Sequence, residues 1–232
     1  MKKIILSAFA LLFLFSCSND ETSTPTEEKN QLTHDHHRGC ASHEILEEQL
    51  RQDPSLAQRM QQIEKFTTEA IRTGKLVNGK IQIPVVVNVL YKTTAENISL
   101  AQIQSQIDVL NKDFNATNSD FNQVPATFSA VKANVGISFV LDAVNRKYVN
   151  KTSWGTNDAM KKTSTKGIAP TSPTTKLNLW VCTIGGGILG YAQFPGGSSA
   201  TDGVVIDSKY LGTTGRATAS FNKGRTATHE VG

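Results

Sequence analysis

The sequence predicts an α/β body preceded by a helical leader, and three features carry that expectation. Ile81 to Tyr91 is a β-branched run containing Val85, Val86, Val87 and Val89, of a length that suits a buried strand. A helical pattern follows it: Ser99 with Gln102 three positions on reads as a capping box, and Ile103, Ile107, Leu110 and Phe114 fall on one helical face. Ile137, Phe139 and Leu141 alternate, as do Leu177, Leu179 and Val181, and Val204 to Ile206 is a short third segment, so all three read as further strands.

Composition allows such a body and excludes several alternatives. The chain has 232 residues, enough for one large domain or one ordinary domain with extras. Hydrophobic residues make up 38% and charged residues 19%, so the chain is neither low-complexity nor charged enough to stay unfolded throughout. The formal charge is +4, and Lys2 and Lys3 lie in a segment expected to be removed, leaving +2. No nucleic acid partner is expected at that charge. Three Cys are too few for a disulfide scaffold.

Residues 1–16 read as a signal peptide: Met1-Lys2-Lys3 is basic, and Ile4 to Phe15 is an apolar stretch of 12 residues, too short to span a bilayer as a helix. It ends Leu14-Phe15-Ser16-Cys17, which resembles the bacterial lipobox, so Cys17 is the expected lipidation site and the membrane is reached through a lipid anchor. Acidic residues after Cys17 resemble surface-export signals of Bacteroidetes lipoproteins, which implies a cell-envelope or outer-membrane surface location. Residues 17–38 are polar and aperiodic and read as a flexible spacer.

Residues 39–79 form the expected leader. Glu44, Glu47 and Glu48 suit the positive end of a helix beginning at Ser42, and Asp53-Pro54 caps a second one. Leu56, Met60, Ile63 and Phe66 make its apolar stripe, expected to pack in a core, and Gly74 supplies a stop. Residues 80–232 are the body. Within it, Thr152 to Thr175 is rich in Thr, Ser, Lys and Pro without periodicity and reads as a surface loop.

Two patterns suggest cofactors and fail on context. Gly185, Gly187 and Gly190 satisfy G-x-G-x-x-G after a strand, with Asp207 17 residues beyond. A dinucleotide site needs a helix N-terminus to receive the pyrophosphate, and Tyr191-Ala192-Gln193-Phe194-Pro195 cannot open one. His34, His36, His37, Cys40 and His43 form a short tract able to bind metal, but its histidines are read as polar spacer residues.

The chemistry lies at the end of the chain. Thr228-His229-Glu230-Val231-Gly232 reaches His-Glu-x-x, one residue short of the second His of H-E-x-x-H. That motif puts two His on one helical face, where they hold a zinc ion at about 2.0–2.1 Å, with the Glu between them as general base.

Gly224-Arg225-Thr226-Ala227-Thr228-His229-Glu230-Val231-Gly232 resembles the entrance to the active-site helix of the pappalysin-like metzincins, the cytophagalysin and ulilysin group of zinc metallopeptidases. Leu189-Gly190-Tyr191-Ala192-Gln193-Phe194-Pro195 and Asp202-Gly203-Val204-Val205-Ile206 resemble that family's upstream blocks in the same order. Ile83-Pro84-Val85-Val86-Val87-Asn88-Val89 resembles its first strand, and Ile103 to Phe114 its first long helix, so the likeness spans about 39–232. It implies a metzincin-like N-terminal subdomain with a twisted mixed β-sheet and packed helices. It further implies His229 as first zinc ligand, Glu230 as catalytic base, a Zn²⁺ cofactor with calcium (Ca²⁺) as a second candidate ion, and peptide or protein substrates. The remaining ligands and the Met-containing turn are expected beyond Gly232, with a His directly after it and another six residues later, so the fragment alone is expected to be inactive.

The same resemblance gives Cys40 a role, because a leader Cys in this family can coordinate the zinc and keep the precursor latent. A thiolate is a sound zinc ligand. The alternative is a disulfide between Cys40 and Cys182, and Cys182 can equally be a small residue on the sheet's other face. The expected function is therefore a lipid-anchored zinc endopeptidase precursor. The alternatives are a non-catalytic surface lipoprotein that binds peptide or glycan, and a gluzincin-type peptidase, which the upstream blocks disfavour.

Overall fold

The β-branched run at 81–91 becomes a central strand because apolar layers cover both of its faces. In the computed structural model, which describes residues 39–72 and 81–232, this strand is β1 (Ile81–Tyr91), and Val85 to Leu90 are buried without a break. It pairs in parallel with β2 (Ile137–Tyr148) on one side and β3 (Leu177–Cys182) on the other. β3 pairs in parallel with β5 (Val204–Asp207), and β4 (Gly190–Ala192) closes the edge antiparallel to β5, giving the order β2-β1-β3-β5-β4. The sheet is mixed, as expected. Pro84 is tolerated in this central strand because pairing with β3 begins only at Val85, and the pairing with β2 shifts register between Val85 and Val86.

The parallel pair β1 and β2 needs a crossover, and α3 (Leu100–Phe114) supplies it. Its Ile103, Ile107 and Leu110 pack with Val85, Val87, Val89, Phe139, Leu179, Val181 and Ile206 in the first core. The capping box at its start is only half made. Ser99 accepts from the Gln102 backbone N–H at 3.1 Å, but the Gln102 side chain donates instead to the carbonyls of Ser208 and Leu211. Both halves of a box are present nearby, where Thr93 and Glu96 cap a short turn after β1.

On the other sheet face, Trp180, Cys182, Tyr191 and Val205 meet Trp154, Ala159 and Met160 in a second core. Expectation and structure differ here. The 152–175 segment is not simply a surface loop, because Trp154, Ala159, Met160 and Lys161 are buried and roof the sheet. Polar composition hid these interior residues.

The leader forms α1 (Ser42–Gln52) and α2 (Ser55–Arg72). Asp53 caps α2 by accepting from the Ser55 N–H at 3.1 Å, so Pro54 stands in the turn just before the helix. The stripe on α2 is core only at its start: Leu56 is buried, whereas Ile63 and Phe66 are 36% and 74% exposed. Periodicity identifies an apolar face without stating what covers it. Ala41 and Ile45, by contrast, join the second core. The signal segment, Cys17, the spacer, His34, His36, His37 and Gly74 lie outside the described residues. Among the described residues no helix is long and apolar enough to cross a membrane.

Candidate functional site

His229 and Glu230 stand on α4 (Arg225–Val231), and contacts with α3 and the turn after it fix where that helix points. It starts at Gly224, whose φ of +71° suits glycine, and a Cβ there would lie 3.0 Å from Val109. Gln106 of α3 donates to the Gly224 carbonyl at 3.0 Å and accepts from the Gly212 N–H at 2.7 Å. One turn on, Thr228 donates to Asp113 Oδ2 at 2.7 Å, while Arg225 lies 2.9 Å from Asp113 Oδ1 and donates to Asp120 at 2.6 Å. The helix is thus bound to α3 immediately before His229.

Opposite it runs the edge strand β4, brought close by Gly190. A Cβ on Gly190 would lie 2.8 Å from the Val205 carbonyl oxygen and 3.3 Å from Glu230 Cγ, so only glycine lets the strand and the helix approach. Tyr191 pins β4 from beneath by donating to Asp158 at 3.0 Å. The same Asp158 oxygen lies 2.9 Å from Lys161 Nζ, which also donates to the Thr201 carbonyl at 2.7 Å. Burial pushes the Lys161 ammonium down in pKa, and Asp158 opposes that shift. A cleft of about 510 Å³ lies between β4 and α4, lined among others by Ala192, Phe194, Asp202, His229 and Glu230.

The leader enters this cleft. Gly39 accepts from the Leu189 N–H at 3.0 Å and Ala41 donates to the Gly190 carbonyl at 3.3 Å, so the segment around Cys40 lies parallel to β4 along the edge turned away from β5. Cys40 Sγ lies 3.3 Å from Glu230 Oε2, although the two residues are 190 positions apart. One ligand atom from each of Cys40, His229 and Glu230 falls within 4.8 Å of the others. Glu230 is buried and its second oxygen, Oε1, has no hydrogen-bond partner among the described residues. Burial pushes the Cys40 thiol up in pKa, hydrogen bonds from Ser42 oppose this, and the Glu230 charge adds to the rise.

A sulfur and an imidazole nitrogen with a buried carboxylate beside them make a set of groups that fits zinc, the first two as donors and the third as a proton acceptor next to the ion. Cys182 is not part of it. Both thiols are free, and Cys182 is wholly enclosed in the second core, where burial raises its pKa and keeps it unreactive, so no Cys40–Cys182 disulfide forms. The glycine pattern at 185–190 leads into β4 and not into a helix. His43 is an exposed residue of α1 that pairs with Glu47 at 3.2 Å.

Three contributors escaped the sequence reading. β4 is only three residues long, too short for periodicity to register. Asp113 and Ser42 are single polar residues within helical patterns, and nothing local distinguishes them. The Ser42 hydroxyl donates to Glu230 Oε2 at 3.0 Å and accepts from the Ala192 N–H at 2.8 Å.

No family model matches the chain. It is 33% identical over 178 residues to an extracellular metalloprotease of Pyricularia oryzae, an alignment covering 71% of this chain and 53% of that protein. It is 31% identical over 206 residues to an extracellular metalloprotease of Colletotrichum graminicola, covering 84% of this chain and 62% of that one. The chain therefore spans between half and two thirds of these relatives' lengths. Among solved structures, a mutant of Tannerella forsythia promirolysin superposes with a TM-score of 0.73 at 36% identity, covering 84% of this chain and 67% of that one. Mature mirolysin from the same organism, in complex with a cleaved peptide, gives 0.64 at 40% identity, covering 67% of this chain and 63% of that one. The share of this chain that is matched is larger with the proform, in keeping with a leader folded against the body.

Proposed function

This chain belongs to the pappalysin-like metzincins, the cytophagalysin and ulilysin group of metallopeptidases, and from that premise we propose that it carries the N-terminal part of a latent zinc endopeptidase. The observation that carries this reading is the convergence of Cys40, His229 and Glu230, far apart in sequence, on one metal-sized space.

In the proposed site His229 is a metal ligand and Glu230 the general base, with further protein ligands from outside these residues, since a catalytic zinc takes three and leaves one position open. A zinc ion held there supplies the Lewis acidity that polarises a scissile carbonyl and acidifies a nearby water. Glu230 accepts that water's proton through a carboxylate oxygen, and its burial raises the strength of the interaction by excluding solvent. The outer edge of β4 offers backbone N–H and C=O groups to a peptide held extended beside it.

Residues 39–79 act as the pro-segment. Its first residues, 39–41, lie along the same edge and bring the Cys40 sulfur beside His229 and Glu230, which keeps the precursor inactive until the segment is removed. Upstream, the lipobox-like run ending at Cys17 supports export and a lipid anchor on the cell envelope, in line with relatives named extracellular. Palmitate labelling that survives in a Cys17→Ala protein would refute the anchor.

The test of the catalytic centre uses the full-length protein after removal of the pro-segment. Glu230→Ala should retain stoichiometric zinc by elemental analysis while peptide hydrolysis falls by about 10²–10⁴-fold or more, whereas His229→Ala should lose both. Hydrolysis that persists in Glu230→Ala, or that is indifferent to chelators, would overturn the assignment.

A further inference from the structure

The pro-segment touches the site through a second side chain. Ser42, buried at the first turn of α1, places one hydroxyl between two groups that a peptidase of the proposed kind must keep free. It donates to Glu230 Oε2 at 3.0 Å and accepts from the Ala192 N–H at 2.8 Å. The Cys40 thiol lies 3.3 Å from the same hydroxyl oxygen, and the Ser42 N–H reaches the sulfur at 3.4 Å. A serine hydroxyl has one proton to give and two lone pairs to offer, so these contacts use its whole capacity.

We propose that Ser42 is a second latency lock, which blocks the base and the substrate-binding edge of β4 with one hydroxyl, independently of any metal. The inference rests on the peptidase reading above but not on the Cys40 ligand. Its logic follows from the atoms engaged. A carboxylate oxygen that already accepts a buried hydroxyl proton is a poorer acceptor for a water proton, and the Ala192 N–H, which bonds Ser42 and not β5, is a donor on the outer edge of β4 that an extended peptide would use. Neither block requires a thiolate. Residues 39 to 41 are held on β4 by backbone bonds, and Ala41 and Ile45 pack in the second core, so losing the hydroxyl leaves the strand-like docking in place. Ser42 therefore acts on top of the docking, and Thr, which keeps the hydroxyl, should substitute for it.

The experiment compares four forms of the full-length protein with the pro-segment attached: wild type, Cys40→Ala, Ser42→Ala and the double variant, with Ser42→Thr as control. A fluorogenic peptide reports hydrolysis before cleavage, and hydrogen exchange at the Ala192 amide reports the clasp without reference to activity. In the Cys40→Ala background, Ser42→Ala should raise hydrolysis before cleavage about fivefold to tenfold, the size expected for one lost buried hydrogen bond. Exchange at Ala192 should quicken by a similar factor in Ser42→Ala and stay slow in Ser42→Thr. Faster exchange with unchanged latency would overturn the lock. If the matured wild type hydrolyses nothing, the peptidase reading fails instead, and the amide still decides the clasp: unchanged exchange in Ser42→Ala overturns it.

Discussion

Gly190 shows how little freedom a position at the cleft has. Its missing Cβ would sit 2.8 Å from both a backbone carbonyl and the Ile206 side chain, and the carbonyl cannot swing aside without breaking the β4–β5 pairing. Gly190→Ala should cost about 1–3 kcal/mol, read as a lower denaturant midpoint with an unchanged slope. Cys40 is constrained chemically. Its thiol is pushed up by burial, so a proton must leave before the sulfur can bind a cation. Zinc binding by the 232-residue chain should accordingly strengthen as pH rises from about 6 to 8 and fall at least about tenfold in Cys40→Ala, by competition with a chromogenic chelator. Equal affinity in the two proteins would remove Cys40 from the metal position.

Two elements depend on single carboxylates. α4 has no side-chain cap of its own and relies on Asp113, which takes both the Thr228 hydroxyl and the Arg225 guanidinium. Asp113→Ala should loosen α4 by about 1–3 kcal/mol, seen as faster amide exchange across 225–231 than across β1. The end of β1 depends on Glu96. Desolvation works against its charge, but the N–H groups of Lys92 and Thr93 and the Thr183 hydroxyl outweigh it and hold the carboxyl below its ordinary value of 4.5. A carboxyl depressed in the fold contributes stability above its unfolded pKa and loses it as pH falls through the folded one. The melting-temperature gap between wild type and Glu96→Gln should therefore be open at pH 7 and close below about pH 4.5. A gap independent of pH would show that the charge contributes nothing.

At the scale of the molecule, the body and the leader differ in how much each needs the other. The first core contains no side chain from residues 39–72, and the leader buries only Ala41, Ser42, Ile45 and Leu56 among its described residues. Residues 81–232 alone should unfold cooperatively, with a melting temperature lowered by roughly 5–15 °C for the loss of two large aliphatic contacts. A non-cooperative melt would mean that the leader is integral to the fold. The same sparse burial suits the proposed pro-segment, because a leader that was part of the main core could not be removed without unfolding the body.

The sequence by itself determined the elements whose signal is local. The β-branched run gave β1 at its observed bounds, the periodic face gave α3, and the Thr-His-Glu pattern put His229 and Glu230 on one helix. It also determined the family, through blocks whose order survives in the linear chain. Only the tertiary structure decided which distant groups meet. That Cys40 reaches Glu230 and not Cys182, that Ser42 joins them, that the 152–175 segment is interior roofing and that Ile63 and Phe66 of the α2 stripe are exposed among the described residues all depend on contacts between residues far apart in the chain. Periodicity states which face of an element is apolar, but burial and pairing are properties of two surfaces, and the second surface lies elsewhere in the sequence.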